Sequence, residues 1–178
     1  MNIVQSFLKY LRIKRNFYAC DEVMNYGCIA DILAVDKKKK RIYEFEFKSS
    51  SSDLIHAEKK KTKYQPSARI VWRNNKPMRV GCDFEPSPNY FYYVIPQELY
   101  DSSESVRNHI ENENCGCIVY WEFHYKDVHR FEFCVKKSCK ERKSNVQKYD
   151  VALESLVSRL SRAYAMVYRS DEVKEVTR

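Results

Sequence analysis

Followed as a pattern of hydrophobic and polar positions, the chain shows two strand-length runs either side of a charged turn. Residues 29–35 are apolar except for Asp31, residues 36–41 are polar and basic, and residues 42–48 alternate as Ile42, Tyr43, Glu44, Phe45, Glu46, Phe47, Lys48. β-branched and aromatic residues dominate both runs, which predicts a β-hairpin. The first strand is expected to be buried on both faces with one carboxylate inside. In the second, a period of two places Glu44, Glu46 and Lys48 on one face and Phe45 and Phe47 on the other.

The same reading extends along the chain. Ile3, Val4, Phe7, Leu8 and Leu11 recur at helical spacing over residues 3–13, with Asn2 as a cap. Residues 16–26 lead into the hairpin as a short strand. After Lys48 a serine string and Asp53 suit a strand end and a helix cap, and Leu54 to Tyr64 forms a helix carrying Lys59, Lys60, Lys61 and Lys63. Residues 65–89 hold four prolines with Arg69, Trp72, Arg73 and Phe84, and read as an inserted flap in which Ala68–Trp72 pairs with Met78–Cys82. Tyr90–Ile95 is a strand, and residues 98–113 a helix with Leu99, Val106 and Ile110 inward. Cys117–Phe123 and Arg130–Val135 are strands joined near Lys126 and Asp127. Residues 144–169 keep helical period through Val146, Tyr149, Leu153, Leu156, Val157, Leu160, Tyr164 and Val167; that helix either covers the sheet or pairs with a second copy as a homodimer. The succession predicts an α/β fold, a central mixed β-sheet flanked by helices, in one domain over residues 1–178.

Composition narrows the classes. At 178 residues with 44% hydrophobic and 14% aromatic content, the chain can bury a core and is not disordered. Thirty-two Lys and Arg against 24 Asp and Glu give a net charge of +8, which suits a polyanionic partner. No apolar run approaches a membrane span and residues 1–15 do not read as a signal peptide, so a soluble, cytoplasmic protein is expected. The seven cysteines form no Cys-x-x-Cys pair, and Cys28, Cys117 and Cys134 lie in apolar runs, as small buried hydrophobes of a reducing compartment do. His124 and His129 flank a turn and are read as exposed or structural.

A carboxylate in an apolar strand needs a cation, a metal or several donors nearby. Asp31 beside Glu46 makes an oxygen-rich site for Mg²⁺ or Mn²⁺. Lys48 falls on the same face as Glu46, roughly 6.5–7 Å along the strand, where it orients a water or steadies charge developing on a phosphate. Glu44 competes with Glu46 as the second carboxylate.

Asp31, then fourteen residues, then Glu46-Phe47-Lys48, resembles the Asp…(Asp/Glu)-x-Lys signature of the PD-(D/E)xK nuclease superfamily. Within it, residues 30–36, Glu46 to Ser50, and Asp53-Leu54 are similar to the MmcB-like DNA-repair group. The usual proline before the first acid is replaced by Ala30, and the stretch from Gln65 to Asn89 is longer than the link expected there. The resemblance spans roughly residues 20–136 and implies a restriction-endonuclease-like core. It also implies metal held by Asp31, Glu46 and the backbone carbonyl of Phe47, with Glu22 before the first core strand as a third candidate carboxylate, catalysis by these acids with Lys48, and a DNA substrate. Lys59, Lys60, Lys61, Lys63, Arg69 and Arg73 are the candidate DNA contacts. The alternative is a catalytically silent nucleic-acid-binding module on the same fold.

Overall fold

The computed structural model describes residues 2–25, 28–57, 68–73, 76–81, 88–113, 115–126, 128–141 and 149–163. Its centre is a six-stranded sheet built from β1 (Tyr18–Asn25), β2 (Cys28–Asp36), β3 (Arg41–Phe47), β6 (Tyr90–Pro96), β7 (Gly116–Tyr125) and β8 (Val128–Lys137), in the order β1-β2-β3-β6-β7-β8. β3, β6 and β7 run parallel; β1, β2 and β8 run antiparallel to their neighbours, so the sheet is mixed. β4 (Ala68–Arg73) and β5 (Lys76–Gly81) pair as a separate antiparallel ribbon with Arg73 opposite Lys76, close to the strand pair expected for the flap.

The turn between β2 and β3 is closed by its own side chain: Asp36 Oδ1 accepts from the backbone N–H of Lys38 and Lys39, at 2.9 and 3.1 Å. Lys40 completes the reversal with φ 51°. At the entrance to the parallel ladder the buried Asn89 takes the backbone N–H of Ile42 at 2.8 Å, which binds the start of β3 to the segment leading into β6.

Alternation sends the two faces of the sheet to different partners. On one side Ile32, Ala34, Phe45, Val94 and Ile118 pack under α1 (Ile3–Lys9) and its π-helical continuation Tyr10–Lys14. Phe7 is the hub of that cluster, with its ring meeting Phe45, Phe47, Phe133 and Tyr10 at centroid distances from 4.9 to 5.7 Å. Asn2 caps α1 as expected, accepting from Gln5 N at 2.9 Å.

The opposite face carries two apolar clusters. Phe91, Tyr93, Ile95, Cys117 and Val119 pack with Leu54, Val106 and Ile110. Cys20, Val23, Leu33, Val35 and Ile42 pack with Ala152 and Leu156 of α4, residues 149–163.

Three expectations change. The helix predicted over 98–113 is two helices, α2 (Gln97–Ser102) and α3 (Glu104–Asn112), because Ser103 leaves the helical region at φ −115°, ψ 107° and its hydroxyl caps Val106 N at 3.4 Å. The buried stripe of α4 runs through Ala152 and Leu156, while Val157 and Leu160 are 56% and 45% exposed. The helix is turned this way by Arg159, which donates to the carbonyl of Asp21 at 3.2 Å and pairs with Glu22 at 3.1 Å. Cys134 is exposed rather than buried, because it lies on the outermost strand. No helix among the described residues is long and apolar enough to cross a membrane.

Candidate functional site

Glu44, Glu46 and Lys48 lie on the sheet face that carries two oily clusters, and they occupy the seam between them. Glu44 is opposite Leu33 of one cluster and Phe91 of the other, and Glu46 is opposite Tyr93. All three side chains are buried, at 2%, 1% and 5% exposure. The bland outcome for a Glu-x-Glu-x-Lys strand, a charged face in solvent, is therefore not what the chain adopts. Ionised groups held this far from water need closely placed counter-charges or donors. The ammonium of Lys48 lies 3.8 Å from Glu46 and 3.6 Å from Asp53, the residue at the start of the helical turn Asp53–Ala57. Asp53 was expected only as a cap, and its role beside Lys48 depends on a chain reversal that local pattern does not encode.

Asp31 joins this group through the edge of the hairpin. Odd-numbered residues of β3 turn their N–H groups toward β2, as shown by the opposite direction of Ile42 N and Lys48 N, which bond Asn89 and Val94 on the β6 side. Phe47 N therefore points at β2, where it donates to Asp31 Oδ2 at 2.8 Å. The backbone ladder between the strands ends at Ile32 and Phe45, and the half-buried Asp31 carboxylate fills the gap where the strands part. The geometry favours Glu46 over Glu44 as its companion, because Glu46 is one pleat nearer to Asp31 and lies beside Lys48.

Glu22 falls across from Asp31 in the β1–β2 register, between the pairs Asp21–Ile32 and Val23–Ala30. Its carboxylate is 74% exposed and engaged by Arg159, so it stands apart from the buried acids. Its backbone is nonetheless unusual: φ is 48° inside a strand, a left-handed conformation costing about 1–2 kcal/mol for a residue with a side chain. This kink falls where β1 passes Asp31.

The candidate DNA contacts Lys59, Lys60, Lys61 and Lys63 lie outside the described residues. Arg69 and Arg73 belong to β4 by backbone, and their side chains also lie outside.

The side chains that the strand register sets on this face, those of Asp31, Glu46 and Glu44, offer only oxygen donors. That set fits a hard divalent cation such as Mg²⁺ or Mn²⁺ and is a poor match for softer ions. A second set, at the far end of the β7–β8 hairpin, combines Glu122, His124 and His129. The strand register that brings His124 opposite His129 is what reading the two histidines one at a time could not supply.

No family model matches the chain, and no curated protein sequence does. Among solved structures the chain is similar to the SPO1766 protein of unknown function from Silicibacter pomeroyi, with 14% sequence identity and a TM-score of 0.62 over 95% of this chain and 90% of that one. At that identity the likeness is one of fold.

Proposed function

We propose that this chain is a divalent-metal-dependent nuclease of the PD-(D/E)xK type that hydrolyses phosphodiester bonds in DNA, in repair or recombination. The observation that carries the reading is the burial of Glu46 and Lys48 together, 3.8 Å apart, where Asp31 occupies the parting of β2 and β3. A protein needing these residues only for stability gains little from them, since a well-packed apolar group in place of a buried ion pair is often neutral or stabilising.

Asp31 and Glu46 hold the metal in this reading, with the carbonyl of Phe47, which shares a strand edge with the N–H that meets Asp31. A bound Mg²⁺ or Mn²⁺ supplies a polarised water and neutralises phosphate charge. Phe47 N fixes the Asp31 carboxylate in place. Lys48, held by Glu46 and Asp53, keeps a cation where negative charge grows on the phosphate as the bond to the leaving oxygen lengthens. The lysines from Lys59 to Lys63, with Arg69 and Arg73, contact the DNA backbone. The free thiols of Cys20, Cys115, Cys117 and Cys139, all buried, suit a cytoplasmic, reducing location.

The test is cleavage of labelled single-stranded, duplex and branched DNA with Mg²⁺ or Mn²⁺, with EDTA and Lys48→Met as controls. Cutting that EDTA abolishes and that the variant slows by about 100-fold or more supports the site. DNA binding that is equal in both proteins, with no cutting by either, overturns it in favour of a silent binding module.

A further inference from the structure

The half of β7 that continues past the core, from Trp121 to Tyr125, is exposed on both faces, and with β8 it forms a projecting arm. On one face of that arm the cross-strand pair His124 and His129 stacks, with ring centroids 4.5 Å apart and planes 11° from parallel. Glu122, two residues before His124, shares the face. Its Oε2 lies 3.1 Å from His124 Nε2 and 3.7 Å from His129 Nε2, so both ring nitrogens converge on one carboxylate oxygen.

We propose that Glu122, His124 and His129 form a binding site for a divalent late transition ion of the Zn²⁺ class, separate from the buried carboxylate centre. Tetrahedral coordination with metal–donor bonds of about 2.0–2.1 Å sets neighbouring donors about 3.4 Å apart. The two separations from Glu122, 3.1 and 3.7 Å, bracket that edge length. Two imidazoles and a carboxylate match borderline ions such as Zn²⁺, Co²⁺ and Ni²⁺, whereas the Asp31 and Glu46 oxygens match Mg²⁺.

The cations of the arm lie elsewhere. Arg130 pairs with Glu132 at 2.7 Å and stands over Phe123, on positions alternate to the three ligands, and Lys126, in the turn beyond β7, stands over Tyr125. The floor beside the site is aromatic, with Phe131 against His129 and Tyr120 against Phe131. Three protein ligands on an exposed hairpin leave the fourth position to water or to an outside donor. A bound ion also ties β7 to β8 at the free end of the arm.

The experiment uses the full chain, stripped with EDTA and dialysed, titrated with Co²⁺ for its visible spectrum and with Zn²⁺ by calorimetry. Wild type, His124→Ala, His129→Ala, the double variant, and Asp31→Asn/Glu46→Gln are compared. All three ligand side chains are exposed, so the histidine variants are expected to keep the wild-type circular dichroism. The Asp31→Asn/Glu46→Gln variant, in which the carboxylate centre is removed, is expected to keep one ion per chain, with Co²⁺ bands free of thiolate charge transfer; wild type binds that ion and a second at Asp31 and Glu46, since a site that takes Mn²⁺ also takes Co²⁺ and Zn²⁺. Losing even a hydrogen-bond partner of a ligand costs about 10- to 100-fold in affinity, so each histidine variant is expected to weaken binding at least about tenfold. Titrations that do not change in the double histidine variant, that show thiolate bands, or that disappear with the Asp31/Glu46 changes would overturn the site.

Discussion

Replacing Lys48 with methionine removes a buried charge while keeping an unbranched side chain, and the structure fixes what this should do to stability. The ammonium lies 3.8 Å from Glu46, and both side chains are at most 5% exposed. At an effective dielectric near 20 that contact is worth about 4 kcal/mol of attraction. Asp53 lies 3.6 Å away but is 42% exposed, so solvent screening limits its share to below about 1 kcal/mol. Against these stands the desolvation of the ammonium itself, several kcal/mol, which the variant no longer bears. The net expectation for metal-free protein is a loss of about 1–3 kcal/mol, read in urea as a midpoint lowered by about 0.5–1.5 M. A second arm separates this from ordinary core damage. An ammonium and a divalent ion beside the same Glu46 carboxylate repel each other, so saturating Mn²⁺ should restore more stability to Lys48→Met than it adds to wild type. Equal midpoints without metal, together with equal responses to Mn²⁺, would refute the reasoning.

Other sites give sharper structural tests. Phe7→Ala should lose about 3–5 kcal/mol in denaturant titration, because the ring is fully buried under four aromatic neighbours. Trp121→Ala, on the exposed arm, should change stability by less than about 1 kcal/mol. Gly116→Ala should cost about 1–3 kcal/mol, since an added methyl would run into the ring of Tyr92 and the backbone nitrogen of Cys139, which donates to the Tyr92 hydroxyl at 3.3 Å; unchanged stability would mean that ring can move aside. Burial pushes the Cys117 thiol up to about 12, so at pH 8 it stays protonated and iodoacetamide should label exposed Cys134 and spare Cys117. Peptide mapping that finds Cys117 alkylated in folded protein would contradict that.

The parts of this fold legible in the sequence are those whose pattern is local. Alternation in residues 42–48 placed Glu44, Glu46 and Lys48 on one face, and the apolar run with a single acid identified β2. That the charged face would be inside rather than out depends on α4 and the Leu54 segment arriving on either side of it, which are contacts made far along the chain. The inward face of α4 departs from its hydrophobic stripe for a related reason. Val157 and Leu160 extend the hydrophobic stripe, but the small Ala152 admits close approach to the sheet, and Arg159 anchors the helix rotated toward Asp21 and Glu22. Ser103 looked like one polar residue within a helical period, yet its hydroxyl caps the next helix and divides the segment. His124 and His129 carry no shared signal until the β7–β8 register sets one against the other.

The buried carboxylate centre is tested most directly by anomalous diffraction from crystals of the protein equilibrated with Mn²⁺. A peak within bonding distance of both Asp31 and Glu46, absent from Asp31→Asn crystals grown the same way, is the predicted result. Mn²⁺ found only at Glu122, His124 and His129, or nowhere near the parting of β2 and β3, would contradict it.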